Sequence, residues 1–262
     1  MFKKFYNFAN SWTGTIIIVL LVIFFIAQAF VIPSGSMKRS MLIGDHLFVK
    51  KFAYGIPTPY LPWIEVPVLP DFNDNGHLIE GPRPKRGDIV VFRYPLNEKT
   101  HFVKRCVAVG GDIVAVQGKV LYLKPHEGNE YVKANYPKEI IEDMGGVLWV
   151  KNPYMHEFPG IQYNDEIDYE DVAFRDTNAQ RLSNFPPTKI EEDYFFMMGD
   201  NRDHSNDSRI WGQVPYRLIE GKPWFVYFSW DDDYQIRWDR IGKSVNSLVE
   251  RAKYIDPNEP LD

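Results

Sequence analysis

The chain is poor in cysteine, in histidine and in net charge, and each shortage removes a class of function. A lone cysteine, Cys106, in 262 residues excludes an internal disulfide and any cysteine-rich metal site, and is expected to be a small buried residue. The six histidines are scattered, with no His-Glu-x-x-His pair, and the sequence also lacks a Gly-x-Ser-x-Gly elbow and a Ser-x-x-Lys motif. No metal and no cofactor is therefore expected. A net charge of -5 offers no broad basic surface, which disfavours a nucleic-acid partner. Long apolar runs are also scarce, with a single one at residues 15–32.

That run holds one amide, Gln28, and as a helix would reach roughly 27 Å, enough for a bilayer core with little tilt. A cleaved secretory signal is the rival reading, since Lys3 and Lys4 form a basic start and Ala27-Gln28-Ala29 has the form of a cleavage site. The run continues through Phe30, Val31 and Ile32 and is long for a signal core, which favours a transmembrane anchor preceded by a short tail at residues 1–14. Lys3 and Lys4 precede it while Lys38, Arg39, Lys50 and Lys51 follow it, so the count of positive charges leaves the orientation open.

Beyond Ile32 the composition is globular, 45% hydrophobic and 15% aromatic over the whole chain. Short apolar segments bounded by glycine or proline predict strands at 46–52, 88–94, 101–109, 112–116, 119–123, 194–198 and 223–230. The expected fold is mostly β: a β-rich domain of residues 33–123 and 194–245, interrupted at 124–193 by an inserted domain or long loops, with a C-terminal tail at 246–262. Residues 56–84 are crowded with proline and read as irregular loop.

Three segments carry candidate chemistry. Ile32-Pro33-Ser34-Gly35-Ser36-Met37 sets two hydroxyls around a flexible glycine, a layout that serves either a nucleophile beside a backbone N–H or a plain linker turn. In His101-Phe102-Val103-Lys104-Arg105-Cys106-Val107, Lys104 lies within an apolar strand. It is either a solvent-facing lysine or, pointing inward, one whose charge is disfavoured by desolvation, as a general base requires. Met198-Gly199-Asp200-Asn201-Arg202-Asp203-His204-Ser205-Asn206-Asp207-Ser208-Arg209 is a dense polar loop: a self-bonded turn, a loose cation loop or an ion-pair scaffold.

Taken in this order behind an apolar segment, the three resemble the boxes of type I signal peptidases, membrane-bound Ser/Lys proteases that remove signal peptides from exported proteins. Leu42-Ile43-Gly44-Asp45, Lys50-Lys51-Phe52-Ala53-Tyr54-Gly55 and Arg86-Gly87-Asp88-Ile89-Val90-Val91-Phe92 match further boxes. The resemblance implies Ser36 as nucleophile and Lys104 as general base, with the Ser34 hydroxyl and the Ser36 N–H as oxyanion donors and Ser205 orienting Lys104. It implies Arg105, Gly199, Asp200, Asp207 and Arg209 as structural supports. It also implies shallow apolar pockets for small side chains, built from Phe30, Ile32, Pro33, Met37, Met41, Leu47 and Val103. The implied partners are exported preproteins, the lipid bilayer and the export machinery. The implied location is the bacterial cytoplasmic membrane, with the N-terminus cytoplasmic and the catalytic domain outside. Lys38-Arg39-Ser40 and His204 depart from the common pattern and bear on substrate preference. Two other functions remain open: a specialised Ser/Lys peptidase of the conjugation-pilus maturation type, and a non-catalytic membrane-anchored module that binds extended peptides.

Overall fold

A computed structural model describes residues 2–61, 64–163, 177–251 and 254. Two short helices open the chain, α1 (Phe2–Ala9) and α2 (Trp12–Phe25), the second capped by the Ser11 hydroxyl, which accepts from the Gly14 N–H at 3.1 Å. The expected helix over residues 15–32 is therefore corrected. It ends at Phe25, and β1 (Ala27–Val31) takes up the remainder as a strand. The reason is pairing: β1 runs antiparallel to β2 (Asp45–Lys50) in unbroken register from Ala27 opposite Lys50 to Val31 opposite His46, and this ladder outweighs the local apolar pattern. Among the described residues, no helix is long and apolar enough to cross a membrane.

The remaining strands are β3 (Gly55–Pro57), β4 (Tyr60–Leu61), β5 (Val66–Pro67), β6 (His77–Glu80), β7 (Ile89–Tyr94), β8 (Asn97–Val109), β9 (Ile113–Gln117), β10 (Val120–Lys124), β11 (Ile141–Met144), β12 (Val147–Lys151), β13 (Phe185–Lys189), β14 (Tyr194–Met198), β15 (Val214–Pro215) and β16 (Ile219–Ser229). The main sheet has the order β1-β2-β16-β7-β8-β14-β15, and a second sheet has the order β11-β12-β10-β9-β13. The hairpin β9–β10 thus pairs with the strands of the 124–193 region, which shifts the start of the second sheet from residue 124 back to Ile113. Residues 164–176, in the middle of the expected insertion, lie outside the described residues. Within the proline-rich 56–84 stretch, β3 pairs with β6 and β4 with β5.

Three strands separate β1 from β8 in the main sheet, so the sheet must curl for the two to face one another. Register shifts along β16, two against β2 and one against β7, provide the curl, because each extra residue bends its strand and increases the twist. Gly221 sits at one of these shifts, where a Cβ would lie 2.6 Å from the Lys50 carbonyl oxygen. The curled sheet encloses a core of Ile32, Met37, Met41, Leu47, Val49, Ile89, Val91 and Val226. Val245, Leu248 and Val249 of the final helix Val245–Val249 seal this core, so the segment expected as tail is partly structural.

Candidate active site

Ser36 lies in a single 3-10 turn, Gly35–Met37, that follows directly on the edge strand β1. Ser34 precedes this turn in extended conformation, and its hydroxyl makes no capping bond to it. The first N–H groups of such a turn have no partner inside it, which leaves the Ser36 N–H beside its own hydroxyl as a donor for an incoming oxygen.

Lys104 comes from the opposite side. It stands in β8 opposite Val90 of β7, and its Nζ reaches Ser36 Oγ at 2.5 Å and the Val103 carbonyl oxygen at 3.1 Å. The side chain is 4% exposed, and burial pulls its pKa down to about 8 against the opposing pull of the Asp207 and Asp200 carboxylates. The inward orientation left open by the sequence is the one found, and burial there disfavours the charged form of the lysine.

The polar loop reaches the same point because β14 pairs with β8 so that Met198 faces Arg105, delivering Gly199 next to Ser36 and Lys104. Gly199 leaves no room for a side chain: a Cβ would lie 2.3 Å from Ser205 Oγ and 2.4 Å from the Ser36 carbonyl oxygen. Two buried ion pairs fix the loop. Arg105 holds Asp200 through two bonds of 2.8 and 2.6 Å, and Arg209 holds Asp207 through two of 2.9 and 2.8 Å. Burial alone would raise both carboxyl pKa values, but the guanidinium partners override it and keep Asp200 and Asp207 below the usual carboxylate range. Asp207 Oδ2 also accepts from the Gly199 N–H at 3.1 Å. This ion-pair scaffold is the third of the readings open at the sequence level.

Ser205 is buried beside Gly199. The hydrogen bonds described for Lys104 go instead to Ser36 and Val103. Phe30, Ile32, Pro33, Met37 and Val103 line a cavity of about 1110 Å³ together with Ser34, Ser36 and Lys104. Met41 and Leu47 do not reach its surface; they lie behind it, packed against Ile32 and Met37 in the core. The cavity also extends to Ile18, Val19, Val22 and Ile23 of α2.

Sequence reasoning missed four contacts in and beside the serine turn. The Asn201 side chain donates to the Gly35 carbonyl oxygen at 3.1 Å, and its backbone N–H donates to the Ser36 carbonyl oxygen at 3.2 Å. Ser40 donates to Asp200 Oδ2 at 2.5 Å, and the Asp200 N–H meets Met37 Sδ at 3.4 Å. Asn201 and Ser40 both lie within segments singled out by sequence, yet a contact between residues 160 or more apart has no local signal. Asp112, His126 and Glu127 cluster elsewhere, but Arg86 bonds to both carboxylates, so charge pairing accounts for the cluster without a metal ion.

Known proteins resemble the chain over most of its length. Residues 6–230 match the model of the family described as signal peptidase, peptidase S26. Signal peptidase I of Helicobacter pylori is 46% identical, over 96% of this chain and 97% of its own length. The Pseudomonas aeruginosa enzyme of that name is 33% identical over 86% and 73%, and that of Aquifex aeolicus 32% over 81% and 81%.

Proposed function

The chain belongs to the peptidase S26 signal peptidase family, and from that premise we propose that it removes signal peptides from exported preproteins by acyl transfer through Ser36 and Lys104. The observation that carries this reading is the 2.5 Å contact between Lys104 Nζ and Ser36 Oγ at a lysine whose charge is disfavoured by burial. Neutral Lys104 takes the Ser36 proton as Oγ attacks the carbonyl carbon of the residue before the cut. The oxyanion that forms is held by the Ser36 N–H and the Ser34 hydroxyl. Loss of one such donor typically costs about 3 to 4 kcal/mol. Lysine, now protonated, gives its proton to the leaving amine; neutral again, it activates the water that hydrolyses the acyl-enzyme. Ser205 and Asp207 support the placement of this pair.

The apolar wall of Phe30, Ile32, Met37 and Val103 supports a preference for small side chains at the first and third positions before the cut. The same wall keeps water from Lys104, so substrate binding surface and pKa control are one structure. On this reading α2 lies in the bacterial cytoplasmic membrane, which suits its exposed Ile16, Ile17, Val19 and Leu21. Lys3 and Lys4 then lie on the cytoplasmic side, and the β-rich body lies outside near the export machinery. The test is cleavage of an Ala-x-Ala preprotein in detergent by the intact protein, beside Ser36→Ala and Lys104→Ala, with the new N-terminus sequenced. Cleavage after the second alanine, lost in both variants, is the expected result; a folded wild type that leaves the preprotein intact, or activity surviving in either variant, overturns the reading.

A further inference from the structure

The cavity wall changes character away from Ser36. Next to the serine it presents apolar Ile32, Met37 and Val103 together with polar Asn201, and farther along it is lined by Gln28, Glu65, Thr100 and His101. Behind these residues a chain of side-chain contacts leaves strand β1 and returns to it. Gln28 Oε1 accepts from Lys51 Nζ at 3.0 Å, and Lys51 pairs with Glu220 at 3.2 Å. Glu220 pairs with Arg93 at 2.6 Å, and Arg93 with Glu65 at 2.8 Å. Glu65 Oε2 lies 4.0 Å from His101 Nε2, and the His101 ring stands edge-on to Phe30 at 5.2 Å. Gln28 and Phe30 are two residues apart on β1, so they share one face of the strand.

We propose that Gln28, Glu65 and His101 form a polar subsite at the upstream end of the groove, which receives a neutral hydrogen-bonding side chain of the substrate, a hydroxyl or a carboxamide. This inference rests on the peptidase reading above. His101 precedes Lys104 by three residues on β8, about 10 Å along an extended strand. A peptide extended beside β8 with its scissile carbonyl at Ser36 therefore brings its fourth or fifth residue before the cut to His101.

Charge balance selects the kind of side chain. Lys51 and Arg93 offset Glu65 and Glu220, and burial pushes His101 toward its neutral form, so the network is complete without a further charge. A charged substrate group would enter it uncompensated, and an apolar one would strip water from the polar ends of Gln28 and His101 without replacing it. A hydroxyl or carboxamide satisfies these ends.

The experiment uses the intact protein in detergent and a set of peptides with a common Ala-x-Ala cut, carrying Ala, Thr, Asn, Asp or Lys at the fourth or fifth position before it. Wild type is expected to prefer Asn or Thr over Ala about fivefold in kcat/KM at one of the two positions, the size of one net hydrogen bond, with Asp and Lys below Ala. In His101→Leu and in Gln28→Leu the Asn-to-Ala ratio falls to about one, whatever the overall rate, while His101→Asn retains part of it. A ratio unchanged in either leucine variant, or a flat wild-type profile on peptides that are cleaved, overturns the subsite and leaves the peptidase reading standing. Failure of wild type to cleave any of the peptides overturns both.

Discussion

Replacing Lys104 by methionine keeps the length of the side chain and removes its charge, so the variant separates what the lysine does for catalysis from what it costs the fold. Burial holds Lys104 at about 8 against 10.5 for the free side chain, a depression that corresponds to about 3 kcal/mol. The unfolded chain binds more protons at this residue between those two values, so the penalty is full below pH 8, fades through the window from 8 to 10.5, and is gone above it. Lys104→Met is therefore expected to be more stable than wild type by up to about 3 kcal/mol at pH 6.5, and the gain shrinks toward zero by pH 10.5. Urea denaturation of both proteins in the same detergent at the two pH values measures the difference. Activity moves the other way: the variant is inactive, while wild-type kcat/KM rises about tenfold from pH 7 to pH 9 as Lys104 loses its proton with a midpoint near 8. A stability difference that does not narrow as pH rises, or an activity limb near 10.5, would refute the argument that burial sets the base.

Ser34→Ala should leave folding intact and lower kcat by about 100- to 1000-fold in steady-state cleavage, and a loss below tenfold would remove the hydroxyl from the oxyanion site. Gly199→Ala forces a methyl into the Ser36 carbonyl oxygen and Ser205 hydroxyl, so cleavage should be lost while a thermal melt still shows a cooperative transition. Arg105→Met leaves Asp200 buried without its bidentate partner and should destabilise by about 3 to 5 kcal/mol in chemical denaturation. Ser205→Ala should reduce kcat without moving the pH midpoint by much, because the desolvation that lowers Lys104 comes from the surrounding apolar wall; a large shift of the midpoint would assign the hydroxyl a direct role in setting it.

The parts of this molecule legible in sequence are those written in consecutive residues. Alternating or continuous apolar stretches located β7, β8 and β14 within a few residues, because each is bounded by glycine, proline or charged turns. Ser36 and Lys104 could be nominated as a pair through family resemblance alone, since nothing local ties residue 36 to residue 104. Their approach depends on the curl of a sheet whose bulges sit on β16, more than a hundred residues further on. The apolar run at 15–32 misled for the complementary reason: its last residues have the same composition in a helix or a strand, and the choice is made by β2. Met41 and Leu47 were nominated for the pocket from position in a motif, whereas exposure to the cavity depends on which face of the wall each side chain takes.

The charged scaffold around Lys104 has to satisfy two opposed demands. The loop that carries Gly199 must be held rigidly, and buried carboxylates accepting hydrogen bonds do that: Asp207 receives the Gly199 N–H and Asp200 the Ser40 hydroxyl. The same carboxylates stand close enough to Lys104 to favour its charged form, which would ruin it as a base. Burial outweighs that pull, and Arg105 and Arg209 pair the two carboxylate charges. Each neutralises one aspartate through a planar two-bond fork while pointing its remaining donors at backbone carbonyls, those of Gly87, Leu182 and Arg202. A lysine in place of either arginine would keep the charge but lose the fork, leaving the carboxylate free to turn and its field less well screened from Lys104. Arg209→Lys should accordingly raise the pH midpoint of cleavage above 8 as well as destabilise the loop. A variant that is less stable but titrates at the wild-type midpoint would show that the arginine serves the fold alone.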